Sequence, residues 1–311
     1  MIKFARVALK CEALVRPQTA QQGVGGKSLS GVLAYREFKE EIMSNQTDLA
    51  HLLTHIDTWM YKGDIFFSAN ADVTLRIRDM ILNPDISLSK IAEYIIADPV
   101  LSSRVLALAN SAAYNGKRTS VKEAVLALGA STLNYIAFSV MHKQILTTIS
   151  GRAHYLMKNL WLHCLDIACS CYAYIKVRMP HLNADTAMLL GMVLHLDIMY
   201  IIYSSAKFTD IFSDHTAYSL VVRKISNRIH TKLMEMYHIS HDIVDMIKPA
   251  YVPYNFQITP TTEADVVSMF AQCHEPLPEI KQLLPTVNTY GSFVDQQVLD
   301  LASAMRSILT P

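Results

Sequence analysis

The chain has 311 residues, of which 51% are apolar and 18% are charged, and its formal net charge is +1. A charge so close to zero excludes a general electrostatic attraction to nucleic acid or to an anionic membrane, so neither is expected as a partner. The length suits one large domain with extensions, or two domains, and the high apolar content predicts an α-rich interior with helices buried on most of their faces.

The cysteines and the first ten residues predict a cytoplasmic location. Three of the five cysteines fall in one apolar helical stretch, and the set lacks the paired spacing of metal fingers, which is typical of reduced, buried thiols. Lys3, Arg6 and Lys10 interrupt the apolar residues at the N-terminus, so a secretory signal is not expected. The cysteines are Cys11, Cys164, Cys169, Cys171 and Cys273.

Residues 1–30 are predicted to be an N-terminal segment that ends in a flexible linker. The stretch from Pro17 to Ser30 is polar and glycine-rich and has no apolar periodicity. Its Gly25-Gly26-Lys27-Ser28 resembles the end of a phosphate-binding loop, but the first glycine of that motif would fall at Gln21 and no buried strand precedes it. A nucleotide site is therefore not expected there.

Residues 31–62 are predicted to form a helical extension, because apolar residues recur with helical spacing around residues 33–45 and 48–62. His51 and His55 lie four residues apart, as zinc ligands would. Leu52 stands where a zinc protease needs its glutamate, so both histidines are expected at the surface.

Residues 63–258 are predicted to be the main domain, and the fold class is all-α. Apolar residues recur with helical spacing in stretches that prolines and glycines separate, and no alternating strand pattern is present. The most apolar stretch, Ala187 to Tyr203, is expected to be one core helix, since a bilayer would make its His195 and Asp197 costly. Three sequence signals for the start of a helix lie at or shortly after these interruptions. They are Asp98-Pro99, a capping box from Ser120 to Glu123, and Asn183.

Residues 259–311 are predicted to be a C-terminal helical extension. After Pro253, a proline-punctuated segment leads into helices expected near residues 261–274 and 294–309. We expect this extension to pack against the main domain.

Motifs between Ser87 and Leu128 closely resemble the signature half of the HDOD family, relatives of the HD phosphohydrolases that have lost the metal site. The motifs run from Asp98 to Tyr114 and from Ala124 to Gly129, in the family's order and spacing. Leu160–His163 and Leu190-Gly191 are similar to the openings of the two helices that carry the HD-type ligands. The resemblance implies a multi-helix HD-like domain over about residues 63–258.

The signature residues have two interpretations. Asn110 and Ser111 can hydrogen-bond turn backbone at a helix end, so a structural role is favoured. The alternative is that Asn110, Ser111 and Tyr114 form part of a recognition surface. The signature residues considered are Asp98, Pro99, Asn110, Ser111 and Tyr114.

An HD phosphohydrolase needs a first histidine, an adjacent His-Asp pair and a later aspartate to hold a divalent ion and its activated water. His163 matches the first histidine. Aligning Gly191 with the family pattern G-L-L-H-D leaves Leu194 and His195 where His and Asp should stand. Because successive helical residues point roughly 100° apart, His195 and Asp197 could replace the pair only if the helix were irregular. His163, His195 and Asp197 are therefore interpreted as a vestigial metal set, and no catalytic residue is assigned.

A basic stripe formed by Lys224, Arg228 and Lys232 lies opposite an apolar helix face. A solvated amphipathic helix is the favoured interpretation, and a site for an anion or an acidic partner is the alternative. The apolar face consists of Val221, Ile225, Ile229 and Leu233.

Tyrosines and methionines cluster between residues 172 and 200. Core packing is expected for them, and an adaptable binding groove is the alternative, because methionine repacks easily around different surfaces. They are Tyr172, Tyr174, Met188, Met192, Met199 and Tyr200.

The sequence leads to the hypothesis of a non-catalytic signal-transduction or regulatory protein of HDOD type that binds a protein partner or a small ligand. No cofactor is expected, and a homo-oligomer is compatible with this hypothesis. The alternative is a metal-dependent phosphohydrolase that acts on a nucleotide or cyclic dinucleotide through His163, His195 and Asp197, with a divalent metal as its cofactor. A third hypothesis is a nucleic-acid regulator that uses the basic stripe.

Overall fold

Helices are the regular secondary structure of the described chain, as the sequence predicts, and those residues contain no strand. The predicted linker within residues 1–30 lies outside the described residues. The chain divides into two units, Met1–Ala50 and His51–Pro311. The computed structural model describes residues 36–40, 42, 47–62, 71–111, 114, 116–208, 210–236, 245–246, 259–274, 276–284 and 296–310.

Twelve helices are delimited within the described residues. The first six are α1 (Thr47–Lys62), α2 (Ala71–Leu82), α3 (Leu88–Ile96), α4 (Pro99–Ala109), α5 (Val121–Leu146) and α6 (Gly151–Arg178). The second six are α7 (Ala184–Val193), α8 (Leu196–Ser205), α9 (His215–Met236), α10 (Glu263–Cys273), α11 (Pro278–Lys281) and α12 (Gln296–Leu309).

The predicted helix starts at Asp98 and Asn183 are confirmed. Asp98 Oδ1 accepts hydrogen bonds from two backbone amides at the start of α4, at 2.8 and 3.1 Å, and Pro99 occupies the first turn, where a missing N–H costs nothing. Asn183 caps α7 through the amide of Thr186. The predicted capping box is only half formed, because Ser120 accepts from the Glu123 amide while the Glu123 carboxylate accepts from Thr119 instead.

The single core helix predicted over Ala187 to Tyr203 is wrong. The chain ends α7 at Val193 and begins α8 at Leu196, and His195 between them has non-helical dihedral angles, φ −119° and ψ 33°. Residues 194 and 195 are neither proline nor glycine, so the local sequence contains no signal that predicts this break.

Two stretches of the described residues are long and apolar enough to cross a membrane by length and composition alone. They are α5 and the run Ala184–Ser205, whose most apolar windows are 72% and 89% buried within the fold. Such burial is typical of the core helices of a globular domain.

Two long helices organise the packing of the second unit. α5 contacts α2, α3 and α4, whereas α6 contacts α7, α8, α10 and α12. α12 also contacts α4, which packs against α5. The helix α12 therefore packs against members of both groups. The predicted packing of the C-terminal helices against the main domain is thereby confirmed.

α6 and α7 cross at an unusually short distance. A Cβ atom added at Gly191 of α7 would lie 2.6 Å from Cα of Ala168 on α6, closer than atoms can pack. Glycine is therefore required at this crossing, which places the end of α7 and the break at His195 against α6.

Candidate functional site

Four polar side chains meet where α6, α8 and α9 pack, and we call them the histidine cluster. His163 belongs to α6, His195 lies at the break before α8, Asp197 lies on α8, and His230 lies on α9. The His163 and His195 rings are nearly parallel, at 9°, with centroids 6.0 Å apart. Asp197 Oδ1 lies 3.8 Å from His230 Nδ1, beyond hydrogen-bond distance.

The break between α7 and α8 is what brings His195 to His163. In a continuous helix, the residue after the Leu194 position would point about 100° away from it. The non-helical dihedral angles of His195 remove that constraint. The helix irregularity without which His195 and Asp197 could not replace the missing His-Asp pair is thus present.

Burial keeps the two stacked histidines neutral. Only 6% of His163 and 4% of His195 are exposed. Burial, assisted by nearby His274, lowers the pKa of His163 to about 4. Burial lowers the pKa of His195 well below its ordinary value, and His163 and His230 add to the effect. Both imidazoles can therefore donate or accept a hydrogen bond at neutral pH, but they carry no charge.

The histidine cluster does not fit the metal of an HD phosphohydrolase. Leu194, which the sequence comparison aligns with the ligand histidine, is an aliphatic side chain that is 1% exposed. The cluster supplies a single carboxylate, Asp197, and that carboxylate faces His230. Among the described residues, no group of three or more His, Cys, Asp or Glu side chains is arranged to hold an ion. A hard divalent ion that activates water lacks its ligands in this arrangement.

Three residues near the cluster were not found from the sequence. His230 forms part of the cluster itself. His274, at the end of α10, shares a hydrogen bond of 2.8 Å between its Nε2 and Ser170 Oγ on α6. The Arg306 guanidinium on α12 forms an ion pair with Asp166, one turn after His163. The residues in these contacts are 33 to 140 positions apart in the chain, so no local sequence motif predicts them.

The HDOD domain model matches residues 68–249, which is more than half of the chain. The chain belongs to the HDOD family. The match lies within the span of about 63–258 over which the sequence resemblance was found. A search of curated proteins gives no match.

Solved structures show the same HDOD fold. A candidate metal-dependent phosphohydrolase from Shewanella amazonensis SB2B is 21% identical, covers 84% of this chain and 99% of its own, and has a TM-score of 0.62. An HDOD domain protein with unknown function from Geobacter sulfurreducens is 20% identical over 76% of this chain and 91% of its own, with a TM-score of 0.50. Identities this low establish the fold alone.

The HDOD signature residues after α4 hold a turn together. Asn110 Oδ1 accepts from the Arg118 amide at 2.6 Å, and its Nδ2 donates to the Arg118 carbonyl at 3.0 Å. Ser111 Oγ donates to the Leu108 carbonyl at 2.7 Å. A Cβ at Gly116 would lie 2.0 Å from a backbone oxygen of Ala109, so this turn accepts only glycine there. These contacts support the structural interpretation of the two polar signature residues.

Tyr114 sits in a network of hydroxyl groups that joins α5 to α6. Its hydroxyl lies 3.1 Å from Thr132 Oγ1, 3.0 Å from the Tyr135 hydroxyl and 3.3 Å from the Tyr172 hydroxyl. Burial raises the pKa of Tyr135 and Tyr172, with Tyr114 contributing, so both remain protonated donors. The network is a packed polar contact and lies apart from the histidine cluster.

The basic stripe lies on α9, on the face opposite its buried residues. Val221, Ile225, Ile229 and Leu233 are each at most 1% exposed, which confirms the predicted apolar face. Arg228 Nη1 is 3.2 Å from Asp57 Oδ1 on α1, while Lys224 and Lys232 are half-buried. One member of the stripe is therefore already engaged by an acidic residue of the same unit.

Most of the tyrosine and methionine cluster is core. Met188, Met192, Met199, Tyr172 and Tyr200 are all buried, and Tyr174 is half-buried against the edge of Phe270. A cavity of about 10 Å³, the size of one water molecule, lies beside Met192, Met199 and the stacked His142–Trp161 pair.

Among the described residues, the cysteines and the outer histidines form no ligand arrangement. Cys164, Cys169 and Cys171 are buried, and burial raises the pKa of all three thiols, so they remain unreactive. Cys11 and the Gly25–Ser28 motif lie outside the described residues. His51 is exposed and His55 is half-buried, with its Nε2 3.3 Å from Lys207 Nζ, an arrangement that a zinc ligand would not share with a cation.

Proposed function

We propose that this HDOD protein is a non-catalytic signalling protein of the cytoplasm that acts by binding a protein partner or a small ligand. The observation that carries the proposal is the buried Leu194 at the position of the HD ligand histidine. Phosphoester hydrolysis by HD enzymes depends on a metal-activated water. An aliphatic side chain there removes a ligand that no neighbouring group replaces among the described residues.

The geometry of the remaining polar groups points the same way. The ring planes of His163 and His195 are nearly parallel with centroids 6.0 Å apart, and Asp197 Oδ1 lies 3.8 Å from His230 Nδ1. Asp166, the other carboxylate near His163, is held by Arg306. Asp166 is thus paired within the protein, whereas the separation of 3.8 Å leaves Asp197 Oδ1 without a hydrogen bond to His230 Nδ1.

An activity measurement combined with a binding measurement tests the proposal. The wild-type protein is assayed with Mn²⁺ on nucleoside phosphates and cyclic dinucleotides, beside His163→Ala and the matched control His181→Ala, whose histidine is exposed. We expect no hydrolysis above buffer for any of the three. Hydrolysis that His163→Ala abolishes and His181→Ala retains would contradict the proposal.

The binding half of the test uses the full chain as bait. We expect the full chain to capture one protein in stoichiometric amount, and that protein to capture this chain when it is used as the bait. The other expected outcome is saturable binding of a nucleotide in calorimetry. Absence of both a reciprocal protein partner and a saturable ligand would remove the proposal.

A further inference from the structure

α12 lies in a groove between α4 and α6 and buries one face there. The buried positions follow the spacing 4, 3, 4 of an amphipathic helix. They are Val298, Ala302, Met305 and Leu309, all at most 9% exposed. The opposite face carries exposed side chains, among them Ser303 and Leu299.

The end of α12 is held by polar groups from three different helices. Ser139 on α5 donates to the Leu309 carbonyl at 2.7 Å, and Arg104 on α4 donates to the Thr310 carbonyl at 2.9 Å. The last four carbonyls of a helix have no partner within the helix, and these two contacts satisfy two of those at the end of α12. Asp166 on α6 adds the ion pair to Arg306 in the last turn. We call Arg104, Ser139 and Asp166 the receptor triad.

The receptor triad and α12 belong to different parts of the chain. All three receptor residues lie within the HDOD match of residues 68–249, whereas α12 lies beyond it. A helix of 14 residues is only marginally stable by itself, so α12 depends on the groove for its structure. The HDOD domain thus presents a site that recognises both an apolar helix face and a helix end.

We propose that this groove is the partner-binding site of the protein and that α12 is its resident occupant. The partner that fits is an amphipathic helix with apolar residues at the same 4, 3, 4 spacing and an arginine in its last turn, which replaces α12 on the receptor triad. The inference rests on the proposed function, because it names the kind of partner that function requires.

The attached α12 competes with any added helix for the groove, and the experiment must remove this competition. A tethered helix has an effective concentration on the order of millimolar, so a free helix at micromolar concentration competes poorly with it. A change that expels α12 should expose the site. Met305, which is fully buried, is the position for such a change, and Ser303 on the exposed face is its matched control.

The experiment measures the fluorescence anisotropy of a labelled synthetic peptide of residues 296–310 titrated with full-length protein. We expect Met305→Asp to bind the peptide at least about 10-fold more tightly than the wild type or Ser303→Asp, because of the lost competitor. A peptide carrying Arg306→Glu should lose at least about 10-fold in affinity for the Met305→Asp protein, since a charge-assisted contact becomes a repulsion. Equal peptide binding by all three proteins would overturn the inference, as would a folded Met305→Asp protein that binds no peptide.

A measurement on the unaltered protein covers the case in which Met305→Asp does not fold. Hydrogen exchange should show α12 amides exchanging at least about 10-fold faster than those of α6, because a displaceable helix opens locally. Exchange of α12 at the rate of α6, through global unfolding only, would overturn the inference. Neither readout involves hydrolysis, so failure here leaves the test of the proposed function intact.

Discussion

Replacing Gly191 with alanine should destabilise the protein, although alanine favours helix. The new methyl group would lie 2.6, 2.8 and 2.9 Å from Cα, N and Cβ of Ala168 on α6. Two of these atoms are backbone, so α6 and α7 must move apart by about 1 Å to reach normal packing. Overpacking of this kind costs roughly 1 to 3 kcal/mol, and the better helix propensity of alanine returns up to about 1 kcal/mol. We expect a net loss of about 2 kcal/mol.

The free energy of unfolding in urea measures the effect, with two control variants. In Gly129→Ala the new methyl group meets no atom within 4 Å, so the variant has only the backbone cost of φ 76° and ψ 172°, a conformation essentially restricted to glycine, about 1 to 3 kcal/mol. Ala168→Gly combined with Gly191→Ala should not restore stability, because the Cα and N of residue 168 remain in place. Wild-type stability of Gly191→Ala, or full rescue by Ala168→Gly, would refute the close crossing of α6 and α7.

Three further outcomes follow from the structure. Asn110→Ala should lower the free energy of unfolding by about 1 to 3 kcal/mol, because both hydrogen bonds to Arg118 disappear; an unchanged free energy in urea unfolding would contradict a stabilising role for these two hydrogen bonds. Because the folded-state pKa of His163 is about 4 and that of an unfolded histidine is about 6.5, the unfolded chain binds the proton first. Stability should therefore fall by up to about 1.4 kcal/mol per pH unit as pH drops from about 6.5 to about 4, more steeply in the wild type than in His163→Gln; equal slopes would contradict the buried neutral ring. Arg228→Ala should cost less than about 1 kcal/mol, and a double-mutant cycle with Asp57→Ala should give a coupling of similar size; a coupling above about 2 kcal/mol would show that the pair is not a surface contact.

Much of the helical architecture could be predicted from the sequence, because its signals are local. Asp98 and Asn183 predict helix starts because their short side chains accept hydrogen bonds from backbone amides two or three residues later in the chain. The spacing of Val221, Ile225 and Ile229 predicts a buried face, and the residues are buried. Each of these features depends on neighbours within one or two turns.

The candidate site could be predicted only in part, because its decisive contacts are not local. The vestigial role proposed for His163 and His195 rests on the alignment of Leu194, but the break between α7 and α8 has no proline or glycine at residues 194 and 195 to predict it. The contact between Asp197 and His230 and that between Asp166 and Arg306 link residues far apart in the chain. Such pairs depend on how whole helices pack, which periodicity does not specify.

The metal content of the purified protein distinguishes a vestigial site from a working metal site. The protein would be purified after growth with added manganese and iron, and metals would be measured by plasma mass spectrometry. The account predicts less than about a tenth of an ion per chain, because a site without its ligands cannot retain metal through purification. About one or two tightly held ions per chain, lost in His163→Ala and kept in His181→Ala, would contradict it.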